Sequence, residues 1–165
     1  MRNPGLARTG VLLCGLGLAG CGSLGSAPTP LAGDLLGAPT TLNLGGRVLS
    51  LTAAPQLVRE ADRFRVRVRV ETSEKASTPA MSTPLKVTGI YVFTGSGLWQ
   101  SPRLNDFSRA SACPAHACAW GSGGANGFTA GEDVRVIAQL QDASGKTYWL
   151  RDARSQNIVA KPLTR

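Results

Sequence analysis

Phe64-Arg65-Val66-Arg67-Val68-Arg69-Val70-Glu71 decides the fold of this 165-residue chain. With side chains alternating across an extended backbone, Phe64, Val66, Val68 and Val70 share one face and Arg65, Arg67, Arg69 and Glu71 the other. A strict period of two, apolar on one side and charged on the other, predicts a half-buried antiparallel strand. Upstream, the polar turn Arg59-Glu60-Ala61-Asp62 separates it from an opening strand over residues 47–52, which Pro55 is expected to end. Downstream, residues 85–93 form a second strong strand, apolar on both faces toward its end and therefore central in its sheet. Further strands are expected at 98–100, 133–141, 147–151 and 157–160, with a hairpin loop at Asp142-Ala143-Ser144-Gly145-Lys146.

Composition agrees with this pattern. Aromatic residues make up 5% of the chain, against 20 glycines and 10 prolines, which suits short strands and turns better than a helical bundle. The fold class is therefore all-β: an antiparallel β-sandwich of about seven strands, with residues 101–131 as one long loop region. A small open barrel is the structural rival. The architecture resembles the immunoglobulin-like and fibronectin-like sandwich domains of bacterial surfaces. No functional residue carries over, because the Cys…Trp…Cys arrangement of antibody domains is absent.

Residues 1–20 read as a secretion signal: Arg2 and Arg8, an apolar run from Val11 to Leu18, then the small pair Ala19-Gly20. The run falls short of the roughly 20 residues that span a bilayer. Leu18-Ala19-Gly20-Cys21 resembles the lipobox of bacterial lipoproteins, whose motif is Leu, two small residues and an invariant Cys. The resemblance implies that the mature chain begins at Cys21, carrying a thioether-linked diacylglycerol and an acylated amine. Several acyl chains make a stable anchor where one would be marginal. Gly22 in place of the Asp that tends to retain such proteins at the inner membrane leans toward the outer membrane of a two-membrane envelope. Residues 21–46, rich in Gly, Pro, Ala, Ser and Thr, read as the lipidated start and a flexible linker of roughly 25 Å reach. Thr41-Leu42-Asn43-Leu44 is an alternative first edge strand, and residues 47–165 are the folded domain.

Formal net charge is +8; losing Arg2 and Arg8 leaves 16 basic against 10 acidic side chains, about +6. Arg65, Arg67 and Arg69 lie about 6.6 Å apart along their strand and could track an anionic surface; the plainer reading is a solvated face that discourages edge pairing. The strand has no aromatic on that face, and export points away from nucleic acid.

Cys113-Pro114-Ala115-His116-Ala117-Cys118 places two thiols and the only imidazole within six residues. With Cys14 in the leader and Cys21 lipidated, Cys113 and Cys118 are the remaining pair, and a small disulfide loop is the expected reading. A copper(I) site and a redox site are its alternatives. Gly121-Ser122-Gly123-Gly124-Ala125-Asn126-Gly127 lacks the strand-then-helix context of a phosphate-cradling loop and reads as a flexible loop. A hydrolase is disfavoured, since His116 sits between two cysteines and Glu132-Asp133, being adjacent, would point to opposite faces of a strand. Trp99, Trp120 and Trp149 are assigned to the rim of the core, with a ligand surface as the alternative.

The expectation is thus a lipid-anchored envelope protein, a non-catalytic structural or interaction module with no catalytic residue, metal or cofactor. Its partners would be the membrane, through the anchor, and a protein or anionic envelope polymer. The alternatives are a small-ligand or metal binder through the 113–118 loop, and an inhibitor of an envelope-directed enzyme.

Overall fold

A computed structural model describes residues 30–72, 85–106 and 117–162. In chain order these form α1 (Ala32–Leu36), β1 (Thr41–Leu44), β2 (Arg47–Val58), β3 (Arg63–Thr72), β4 (Lys86–Thr94), β5 (Gly97–Gln100), β6 (Arg103–Asp106), β7 (Cys118–Gly124), β8 (Asp133–Gln141), β9 (Thr147–Arg151), β10 (Gln156–Asn157) and β11 (Val159–Lys161). Two sheets pack face to face. In the first, β2, β3, β7 and β6 run side by side, while β1 and β11 occupy the two halves of the outer edge of β2. In the second, β8, β4 and β5 are neighbours, and β9 and β10 share the other edge of β8. Every pairing is antiparallel except that of β11 with β2.

The alternation in β3 does what its pattern predicts. Phe64, Val66, Val68 and Val70 are at most 2% exposed and pack against Val87, Ile90, Val92, Val134, Val136 and Leu140 of the second sheet. Fully burying such side chains contributes about 1.5–3 kcal/mol each, so β3 is the spine of the core. Phe64 carries the aromatic centre: its ring stacks on Phe128 with centroids 3.7 Å apart and meets the edge of Trp99 at 5.0 Å.

Pro55 does not end the first long strand. β2 continues through it to Val58, with Pro55 opposite Val66 of β3. The N–H of Ala53 points to the outer edge, where it donates to Asp152 Oδ2 at 2.9 Å. Two residues along, the missing N–H of Pro55 faces the same edge, in the gap between β1 and β11 where no ladder bond is due. Asp152, 5% exposed, also accepts from Gln156 Nε2 at 2.9 Å and the Arg154 N–H at 3.0 Å. One carboxylate therefore closes the gap and joins the two sheets.

The linker reading of 21–46 is corrected over its described part. Leu35 is fully buried and Ala38 nearly so, against Tyr91 and Ile137 on the outer face of the second sheet, with Phe93, Leu98 and Trp149 around them. The Pro39 carbonyl accepts the Arg151 N–H at 2.9 Å, and the chain then enters β1 at the edge of the first sheet. This strap explains why β4 is apolar on both faces: one meets the sandwich core and the other meets α1.

The single long loop is also corrected. Residues 101–131 contain β6 and β7, and β7 lies between β3 and β6 in the first sheet. The glycines have a packing reason. The Ser101-Pro102 crossover presses on the inner face of β7, and a Cβ at Gly123 would sit 3.0 Å from the Pro102 ring, while one at Gly121 would sit 2.8 Å from Ser101 Oγ. Glycine lets the two backbones approach. The 121–127 stretch is thus strand for its first half, not a loop throughout.

Candidate functional site

The outward face of the first sheet gathers the charge. Arg63, Arg65, Arg67 and Arg69 of β3 lie opposite Gly124, Ser122, Trp120 and Cys118 of β7. Ser122 and Trp120 in turn face Arg103 and Asn105 of β6. Ladder strands are about 4.8 Å apart, so Arg65 and Arg103 flank Ser122 across about 10 Å of sheet. Between them runs an open groove of about 680 Å³, lined by Arg63, Arg65, Arg103, Leu104, Asn105, Trp120 and Ser122. Its lining holds three guanidinium groups and no carboxylate.

Trp120 is set beside the arginines by register. Arg67 is its cross-strand partner and stacks over the indole at 5.7 Å from the ring centroid. Arg69 pairs instead with Glu71 at 3.9 Å, both half-exposed, so its charge is partly offset locally. The three arginines singled out from the sequence therefore divide. Arg65 belongs to the groove, Arg67 holds its aromatic wall, and Arg69 lies outside it.

Of the lining residues, Arg63, Arg103, Leu104 and Asn105 were not picked out by the sequence reading, and Ser122 entered it only within the glycine-rich stretch 121–127. The signal was the alternation of Arg103 and Asn105 on β6 and of Trp120 and Ser122 on β7. Glycine-rich neighbours and the apparent loop context concealed it. Trp99 and Trp149 are packing residues of the two apolar clusters, so of the three tryptophans Trp120 alone lines the groove.

Cys118 opens β7 and is 6% exposed. Cys113 and His116, like Cys21, lie outside the described residues. Among the described residues no cluster of His, Cys, Asp and Glu has metal-holding geometry, and no helix is long and apolar enough to cross a membrane. Glu132, one of the adjacent carboxylates, accepts the Gly95 N–H at 3.0 Å and the Thr129 N–H at 3.3 Å, which ties two turns together.

Among the described residues, Asp142 in the β8–β9 hairpin is a part-exposed acid that accepts four hydrogen bonds. The Ser144 hydroxyl at 2.6 Å, the Tyr148 hydroxyl at 2.9 Å and the Ser144 and Lys146 N–H groups all donate to it. These bonds, that from Ser144 Oγ foremost, hold its carboxyl below the usual carboxylate range. Tyr148 is raised, first by its bond to Asp142. This is turn chemistry, on a different sheet from the groove.

Comparison with protein-family models, with curated proteins and with solved structures returned no match.

Proposed function

We propose that this protein is a lipid-anchored module of the bacterial envelope that works by contact, with the arginine face of the first sheet as its working surface. The observation that carries the reading is the placement of two features on opposite sides of the sandwich. The strap leading back toward Cys21 lies on the outer face of the second sheet, and the arginines lie on the outer face of the first. Pro30 lies nine residue steps beyond Cys21, so even fully extended chain spans at most about 32 Å between lipid and strap. The strap also exposes Leu31 and Leu36, at 73% and 38%, toward the anchored side. An anchor there turns the arginines away from the lipid and toward whatever lies beyond it, and charge complementarity selects an anionic partner.

In the same reading Cys113 and Cys118 close a six-residue loop before β7 as a disulfide, so the thiols are not available for copper. That favours contact over a metal centre. A disulfide closing so short a loop stabilises by roughly 2 kcal/mol in the chain-entropy model.

Intact-mass and peptide mass spectrometry on protein from its native membrane tests the anchor and the loop together. The expected result is an acylated Cys21 as first residue and a Cys113–Cys118 peptide. A mature chain with an unmodified Cys21 would overturn the anchored reading.

A further inference from the structure

The groove is more specific than a charged face needs to be. Three arginines from two strands converge on a concave floor made by Ser122, with Asn105 and the Trp120 indole completing the lining. Each group has its own chemistry. Guanidinium forks pair with oxyanions bidentately. The serine hydroxyl and the asparagine amide suit neutral hydroxyls. An indole packs against an apolar ring face. Resting on the reading of this sheet as the contact surface, we propose that the groove is a subsite for an acidic glycan, a sugar chain carrying carboxylate, sulfate or phosphate groups.

The alternatives fit less well. Single-stranded nucleic acid is held by successive aromatic platforms along a basic track, whereas this groove has one indole among its lining residues. A membrane surface is flat and calls for apolar groups that insert, whereas Arg63, Arg103 and Asn105 at the rim are exposed and polar. A volume of about 680 Å³ lies within the range of ordinary small-molecule sites, enough for a short piece of polymer with the rest of the chain running on across the open ends. Arg67, stacked on Trp120, is a positioning residue that holds the indole upright.

The test is a binding titration of the full chain in detergent against an alginate oligosaccharide, a heparin oligosaccharide, neutral dextran, tripolyphosphate, single-stranded DNA and glycerophosphoglycerol, the water-soluble headgroup of phosphatidylglycerol. Binding of either or both acidic oligosaccharides but not dextran is expected, and which of them binds more tightly identifies carboxylate or sulfate as the better anion. The double variant Arg65→Gln/Arg103→Gln should weaken glycan binding at least tenfold. Arg135→Gln, on the outer face of the second sheet, should leave it unchanged, with circular dichroism confirming that both variants fold. Trp120→Leu should weaken the glycan several-fold and leave tripolyphosphate unchanged, which separates sugar packing from charge. DNA or the lipid headgroup binding as tightly as the glycans, or dextran binding equally well, would overturn the glycan assignment while leaving the sheet as a contact surface. Indifference of glycan binding to Arg65→Gln/Arg103→Gln would overturn the site. Failure of every anionic probe would remove both the glycan and the contact-surface reading.

Discussion

Asp152 shows how much a single side chain carries in this sandwich. Its carboxylate is buried, and it accepts from three donors: the Ala53 and Arg154 N–H groups and the Gln156 amide. Asp152→Ala leaves a buried backbone donor unpaired at the edge of β2, so we expect a loss of roughly 2–4 kcal/mol, read by urea denaturation. Asp152→Asn should cost less than the alanine variant but more than nothing, because its amide must turn a donor toward one of three donors. An asparagine variant as stable as the parent would show that the charge is unnecessary. Nothing in the sequence singles out this residue, since its partners are 99 positions upstream and within four downstream.

At the scale of elements, β7 and the β8–β9 hairpin make separate predictions. The inner face of β7 is shaped by the Ser101-Pro102 crossover, so Gly123→Val should overpack against the Pro102 ring and Trp99. A loss of about 1–3 kcal/mol is expected, while Gly124→Ala, with open space at its Cβ, should cost less. The hairpin predicts a pH signature. Asp142 is lowered in the folded state, so its contribution is present above the unfolded carboxylate range and lost as pH falls through the folded value. Tyr148 is raised, so its contribution is present below the unfolded tyrosine range and lost as pH rises through the folded value. Carbon-detected NMR titration should place the Asp142 carboxyl below ordinary exposed aspartates, and Tyr148→Phe should bring it part of the way back.

The same two elements show what could be read from the chain. β3 and β8 were legible because one face of each is continuously apolar and the other polar. β7 was not, because contact with a crossover demands glycine where a strand usually shows a branched side chain. The basic groove was half legible for the same reason: Arg65 stands in a plain alternating pattern, while Arg103, Asn105, Trp120 and Ser122 stand in strands that composition disguises as loop. The strap was concealed differently. Its small and proline-rich composition suits a tether, and only the second apolar face of β4 hinted that something must cover that sheet.

For the whole molecule, the strap is what makes sidedness possible. Leu35→Ala should cost about 2–4 kcal/mol, because the side chain is fully buried beneath the second sheet's outer face. A change below about 0.5 kcal/mol in thermal or urea unfolding would mean that the segment behaves as a tether. With the proposed lipid on Cys21, a seated strap would set the anchor on one side and the arginines on the other, and the sandwich itself would act as the spacer that the sequence reading assigned to a flexible linker. The measurement that tests this sidedness most directly is photo-cross-linking in native cells, with the photoreactive residue placed at Ser122 in one strain and at Arg135 in another. The account predicts cross-links to a non-lipid envelope component from position 122 and none to that component from position 135. Lipid cross-links from position 122, or the same component captured equally from both faces, would contradict it.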